Sequence, residues 1–157
     1  MSQLINMKKI TYSQANETDI ADLVNLLSLL FNIEKDFNPD TSKQQKGLEL
    51  LLKNCTTATI QVAKNDTGKM IGMVSAQLVI STAEGAPSAW VEDMVIDATY
   101  RGHGIGKQLL KNTLAWAKNK GATRAQLLVD TANSDALGYY QHLNWETTQL
   151  QARRVIL

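Results

Sequence analysis

Glu92 and Asp93 stand side by side in an otherwise apolar run from Val91 to Ile96. A carboxylate in such a strand is costly unless it is hydrogen-bonded or faces a cavity, so both are candidates to accept a proton. Side chains alternate along a strand, which puts these two on opposite faces and leaves only one to meet a reacting group directly. Shortly after them comes Arg101-Gly102-His103-Gly104-Ile105-Gly106-Lys107. Glycines there let the backbone turn with positive φ and let a ligand come close. The free amides and dipole of a helix starting beyond them suit an anion, above all a phosphate or pyrophosphate. Arg101 and Lys107 add positive charge. Further on, Tyr140 carries a phenol with a reference pKa near ~10 that can donate a proton to a departing group. Tyr139, its neighbour on a helix, points elsewhere and reads as packing.

Two familiar phosphate motifs fail here. The dinucleotide fingerprint would need glycine where Lys107 stands, and a P-loop would need glycine at Arg101 and Ser or Thr at Gln108. His103 in the loop is read as lying near phosphate and His142 as surface. These two histidines and the lone Cys55 offer no clustered metal-ligand spacing, so no metal is expected. Cys55, at a helix end, reads as structural. No nucleophile elbow is present, which argues against a covalent intermediate on a serine.

The positioning elements follow from periodicity. Residues 9–15 alternate as a first strand. Asn16 or Thr18 caps a helix whose Ile20, Leu23, Val24, Leu27, Leu30 and Phe31 recur at helical spacing. Phe37-Asn38-Pro39-Asp40 breaks it, and a second helix covers 41–54. Strands are expected at 57–64 and 69–80, joined by the turn Asn65-Asp66-Thr67-Gly68, then a loop over 81–88 and a strand over 89–96. A helix over 104–120 buries Ile105, Leu109, Leu110, Leu114 and Ala117. A strand at 124–130, a helix at 134–143 and one or two closing strands in 145–157 complete an α/β (α+β) chain, a mixed sheet with helices on both faces.

Arg101-Gly-x-Gly-Ile-Gly106 resembles the pyrophosphate loop of the GNAT N-acetyltransferase superfamily, whose usual form is Arg/Gln-x-x-Gly-x-Gly/Ala. Val91–Ile96 upstream is similar to that family's central strand. Asn133-x-x-Ala136-x-x-Tyr139-Tyr140-x-x-x-Asn144-Trp145 downstream resembles its Asn-x-x-Ala-x-x-Phe-Tyr-x-x-x-Gly-Phe. The departures are Tyr139, Asn144 and Trp145; Asn144 can adopt the left-handed conformation of the helix-ending glycine. The match is good over about 89–146 and rests on element order before that. The resemblance implies a mostly antiparallel, splayed sheet and acetyl-CoA as cosubstrate. Met94, Val95 and Ile96 would hold its pantetheine arm through their backbone. Arg101, Gly102, His103, Gly104, Ile105, Gly106 and Lys107 would hold the pyrophosphate, and Asn133, Ala136 and Tyr140 would contribute from the last helix. It implies Tyr140 as general acid, an oxyanion donor at the Met94 N–H, and Glu92 as a water-mediated base, because the locally similar polyamine acetyltransferases carry an acid there. Whether Glu92, Asp93 or water alone is the base stays open.

Substrate contacts are expected from Glu92, Asp36 and Phe37, with Asp36, Asp40, Glu84 and Glu92 as an acidic mouth for a cationic amine. The 157 residues are one domain's worth, with residues 1–8 a loose leader. The formal net charge of +1 gives no global field for nucleic acid or an anionic membrane. No apolar run approaches the roughly 18–20 residues that span a bilayer, and no secretory signal is seen. One cysteine fits a reducing cytosol. The expectation is a cytoplasmic N-acetyltransferase acting on a small amine, a homodimer by resemblance. A protein or peptide acetyltransferase and a non-catalytic acyl-CoA-binding module are the alternatives.

Overall fold

The computed structural model describes residues 9–157, so the leader expected at 1–8 lies outside the described residues. The chain divides into two compact units, one ending at Gln126 and the other Leu127–Leu157, each described by itself.

In the first unit, β1 (Thr11–Gln14) leads through a 3-10 turn into α1 (Ile20–Ile33), followed by α2 (Thr41–Lys53), β2 (Ala58–Lys64), β3 (Met70–Ser81), β4 (Ala86–Ile96), a 3-10 turn at Ala98–Tyr100, and α3 (Ile105–Asn119). β5 (Arg124–Leu127) ends the sheet, whose order is β1-β2-β3-β4-β5, with β1–β2, β2–β3 and β3–β4 antiparallel. The mixed α/β class expected from the sequence is the class observed.

Local chemistry explains the starts and stops. Asn16 accepts from the Thr18 N–H while the Asp19 side chain accepts from the Asn16 N–H, a reciprocal box that satisfies two donors ahead of α1. Asp40 caps α2 by accepting from the Lys43 N–H. Buried Gln44 ties the two helices together: its amide donates to Val24 O and Ser28 Oγ, both at 3.0 Å, and its carbonyl accepts from the Asp40 N–H.

One core cluster joins Leu23, Leu26 and Leu27 of α1 and Leu48 of α2 to Ile60, Val62, Met73 and Val95 of the sheet. Each such side chain contributes about 1.5–3 kcal/mol on burial. Ile105, Leu109, Leu110 and Ala117 of α3 are also buried. β3 comes close to α3 at Gly72, where an added Cβ would lie 2.6 Å from Ile96 Cδ1 and 3.2 Å from Leu109 Cδ1.

Three expectations about the elements need correction. Thr113 joins the buried residues of α3 while Leu114 is only half-buried; the Thr113 hydroxyl donates to Leu109 O, which makes a polar side chain acceptable there. β4 starts at Ala86 rather than 89, because Pro87 needs no N–H partner and its carbonyl accepts from the Thr123 N–H. No strand forms over 145–157: β-prone composition makes a strand only where a neighbour takes up its backbone groups.

The second unit holds α4 (Ser134–His142). Asn133 caps it, Oδ1 accepting from the Ala136 N–H at 3.0 Å. Asn144 takes the left-handed conformation, φ 62°, as anticipated for the residue standing where the family has glycine.

Candidate active site

Two features of the first unit invite ligands. At the start of α3, Gly102 and Gly104 have φ of 76° and 78°. A side chain there would be strained although nothing stands within 4 Å of either Cβ position. Gly104 occupies the N-cap without any capping side chain, and the first intrahelical bond is Gln108 N–H to Gly104 O. The amides of Ile105, Gly106 and Lys107 are therefore the orphan donors of the helix start. Arg101, His103 and Lys107 are exposed beside them. The loop is braced from behind. Arg101 Nε donates to Ile96 O, Asn65 donates to the Tyr100 hydroxyl, and Lys69 pairs with Asp97 at 3.0 Å. His103 Nδ1 lies 3.2 Å from Tyr100 O. Open space, outward amides and flanking cations fit a pyrophosphate.

The second feature is a β-bulge in β4. Met73 faces Val95 and Ser75 faces Glu92, so Asp93 and Met94 together oppose Val74 and neither has a register partner on β3. Asp93 takes up the irregularity with φ 55°. Glu92 and Asp93 consequently line one cavity. This corrects the expectation that alternation would separate them: the period of two breaks at a bulge. Asp93 Oδ2 lies 3.3 Å from the Ser75 hydroxyl, which also lies 3.2 Å from Glu92 O. Burial, aided by the negative charge of Glu92, raises the Asp93 carboxyl to about 6, against the opposing Ser75 bond; Glu34 pushes the same way. Glu92 is exposed and accepts from the Trp90 indole N–H at 2.8 Å.

The cavity, 460 Å³, lies between α1, α2 and the edge of β3 and β4. Phe37 and Glu92, both expected as substrate contacts, line it; Asp36 does not. Of the four acids expected at the mouth, Asp40 and Glu92 line the cavity and Asp36 and Glu84 do not. Glu84 is 3.7 Å from Arg124, and Asp40 is committed to capping α2 and lies 3.8 Å from Lys43. Residues the sequence reading missed are Gly47 on α2, Ser75 behind Asp93, and Trp90 beside Glu92. Only Gly47 left a signal, a glycine inside a helical pattern.

Met94 and Ile96 are half-buried, while Val95 is buried in the α1–α2 core, leaving its backbone as the part able to hold a ligand. In the second unit, the Tyr140 ring packs edge-on against Tyr139 and Trp145, with centroids 5.4 and 5.9 Å away. The Tyr139 hydroxyl is buried without a hydrogen-bond partner among the described residues, and burial raises its pKa. His142 is exposed at the end of α4, and Cys55, read as structural, is exposed too. Among the described residues no three His, Cys, Asp or Glu side chains gather as metal ligands, and no helix is long and apolar enough to cross a membrane.

An open sheet whose fourth strand bulges beside a carboxylate-lined cavity, with a glycine loop suited to an anion after that strand, defines the class of α/β protein. The sequence pattern of the Acetyltransferase (GNAT) family matches residues 23–145, and the chain belongs to that family. It is 28% identical over 145 residues to an uncharacterized N-acetyltransferase of Methanocaldococcus jannaschii, covering 89% of this chain and 63% of the relative. It therefore spans less than two thirds of that relative's length. It is also 28% identical over 142 residues to the thialysine N-epsilon-acetyltransferase of Mus musculus, covering 83% of this chain and 80% of that one. The crystal structure of a possible acetyltransferase from Clostridium difficile 630 superposes with a TM-score of 0.83 at 17% identity, over 95% of this chain and 98% of that one, a likeness of fold.

Proposed function

We propose that this chain moves the acetyl group of acetyl-CoA directly to a primary amine of a small molecule. One observation carries the reading: two adjacent carboxylates open at the β4 bulge onto a single cavity, on the strand that feeds the glycine loop. The amides of 105–107, with Arg101 and Lys107, would hold the pyrophosphate, the backbone of Met94, Val95 and Ile96 the pantetheine arm, and Asn133 and Ala136 would contribute from α4. Acetyl-CoA supplies the acetyl group as a thioester. Glu92, through a water, removes a proton from the ammonium so that its nitrogen can attack. The Met94 N–H, at the bulge where the β3–β4 register breaks, serves the carbonyl oxygen. As the new C–N bond forms and the C–S bond breaks, the Tyr140 hydroxyl protonates the departing sulfur; the second proton leaves the nitrogen through water and restores the Tyr140 phenol, so that one proton, the one taken by Glu92, is released overall.

A second assignment of the base has its own support: Asp93 is the more buried of the two carboxylates, and its pKa of about 6 suits a base working near neutrality. The proposal also includes a single-domain, cytoplasmic homodimer; the unpaired Cys55 supports the reducing compartment.

The experiment is thermal unfolding with and without acetyl-CoA, then free-thiol release over a panel of amines. Ligand at 100 times its dissociation constant adds about 2.7 kcal/mol, a rise of several degrees in Tm. Stabilisation with thiol release establishes the enzyme, and Tyr140→Phe then lowers kcat by roughly 100-fold while acetyl-CoA affinity holds. Stabilisation with no release over any amine or peptide points instead to a binding module. No stabilisation at millimolar acetyl-CoA removes the glycine loop from the cofactor site.

A further inference from the structure

The walls of the α1–α2 cavity differ in kind from its floor. At the floor stand Glu92 and Asp93. The apolar lining includes Leu27 and Phe31 of α1, Phe37 of the connection, and Leu48 and Leu51 of α2. Asn38, Gln44, Asn54 and Gln77 line the cavity as well, but the Gln44 amide is engaged by Val24 O and Ser28 Oγ and the Asn54 amide by Leu50 O. Phe31 and Phe37 lie 5.5 Å apart between ring centroids and are tilted by 37°, with Phe37 half exposed at 51%. A polyhydroxylated acceptor could pair with Asn38 and Gln77, but its hydroxyl groups on the phenylalanine and leucine side would be left unpaired. An acceptor bearing phosphate finds one lining cation, Lys43, already 3.8 Å from Asp40. A polyamine's second ammonium finds Asp40 as the lining acid away from the floor, and that carboxylate is engaged by the Lys43 N–H and ammonium.

Gly47 supplies an independent observation. It sits in the interior of α2, where glycine disfavours the helix relative to alanine. A Cβ there would meet nothing within 4 Å, so packing does not demand glycine. Gly47 lines this cavity. A residue that weakens its helix, is not crowded, and borders a cavity is explained by the space it leaves.

We infer that the acceptor is an arylalkylamine, its ammonium at Glu92 and Asp93 and its aromatic body between α1 and α2 across Gly47. The inference rests on the acetyl-transfer reading for its chemistry, with atoms moving as described above; the recognition itself rests on the cavity. It departs from the polyamine hint in the sequence around Glu92.

The test uses the full chain and five acceptors of matched concentration: 2-phenylethylamine, methylamine, spermidine, glucosamine 6-phosphate, and a short peptide with an N-terminal phenylalanine. The expected result is a kcat/KM for 2-phenylethylamine roughly ten-fold or more above each of the others, equivalent to about 1.4 kcal/mol. Gly47→Leu fills the space with a good helix former. It lowers the ratio of kcat/KM for 2-phenylethylamine over methylamine by roughly ten-fold, while Tm holds or rises. An unchanged ratio in that variant, or preference for spermidine, the sugar phosphate or the peptide, overturns the inference and leaves acetyl transfer standing. Calorimetric binding of 2-phenylethylamine separates the remaining cases. Binding that Gly47→Leu weakens, without thiol release from any amine, supports the amine site and sinks the acetyl-transfer reading. Neither binding nor release sinks both.

Discussion

The glycine loop and the β4 bulge both hold backbone in the left-handed region, and they do it with opposite means. The loop uses Gly102 and Gly104, with open space where side chains would be, which leaves amides rather than side chains exposed at the helix start. The bulge uses Asp93 at φ 55°, an uncommon conformation for a residue with a Cβ, and there a carboxylate borders the cavity. Asp and Asn are the non-glycine residues best suited to that region, so the strain stays modest. On the proposed function, the loop recognises its ligand by main chain and the bulge does chemistry by carboxylate. Damage to the first should appear in cofactor affinity, and damage to the second in turnover.

The largest effect is expected at the bulge. Whichever carboxylate serves as base, its amide variant should lose roughly 100-fold in kcat. Glu92→Gln and Asp93→Asn measured side by side, with acetyl-CoA dissociation constants, decide the assignment. Loss confined to Glu92→Gln supports the water-mediated base, and loss confined to Asp93→Asn transfers the role. If either variant loses acetyl-CoA affinity by as much as it loses turnover, the division between the two regions fails. The pH profile sharpens this. A wild-type kcat/KM that rises through about pH 6 belongs to the group whose pKa lies there, and in that case the limb should vanish in Asp93→Asn. Asp93 is faced by Glu92 and Ser75 along the sheet and by the charge of Glu34, while Asp40 and Lys43 of the α2 end line the same cavity.

A smaller effect is expected at the loop. Gly104→Val forces a β-branched residue into φ 78°, at a cost of order 1–3 kcal/mol, and should raise the acetyl-CoA dissociation constant roughly ten-fold. His103→Ala beside it should do much less, since the ligand meets amides. A larger loss in His103→Ala than in Gly104→Val would mean that side chains, not main chain, do the binding.

The same contrast explains what could be read in advance. Glycine at 102 and 104 with cations at 101 and 107 states its purpose in one dimension, and so does the periodicity behind α1, α2 and α3. The bulge does not. Two residues opposing Val74 is a property of pairing between β3 and β4, and nothing within Val91–Ile96 records it, so strict alternation misassigned the face of Asp93. The cavity was half legible. Phe37 and Glu92 could be named, but whether Asp36 or Glu84 joins them depends on how the chain leaves α1 and on the pull of Arg124. The expected closing strands failed for a related reason, since composition cannot supply a neighbour to pair with.

The smallest effect is on stability, and it tests the bulge without any substrate. A carboxyl raised from 3.8 to about 6 on folding is shifted by roughly two units, equivalent to about 3 kcal/mol between its two protonation states. Between those values the native chain binds a proton that the unfolded chain does not, so this group makes stability fall as pH rises from about 4 to about 6. Above that window the burial of a charged Asp93 is a constant handicap; below it the handicap is gone. Asp93→Asn removes the charge, keeps a residue that tolerates positive φ, and can still pair with Ser75. Urea unfolding should find the variant about 1–3 kcal/mol more stable than wild type at pH 8, with the difference shrinking toward zero at pH 4. A gain in stability paired with a loss of turnover would mark Asp93 as a residue kept for chemistry at the expense of the fold. A variant less stable than wild type at pH 8, or a difference that ignores pH, would mean instead that Asp93 holds the bulge together through its bond to Ser75, and the two left-handed regions would then both be matters of backbone.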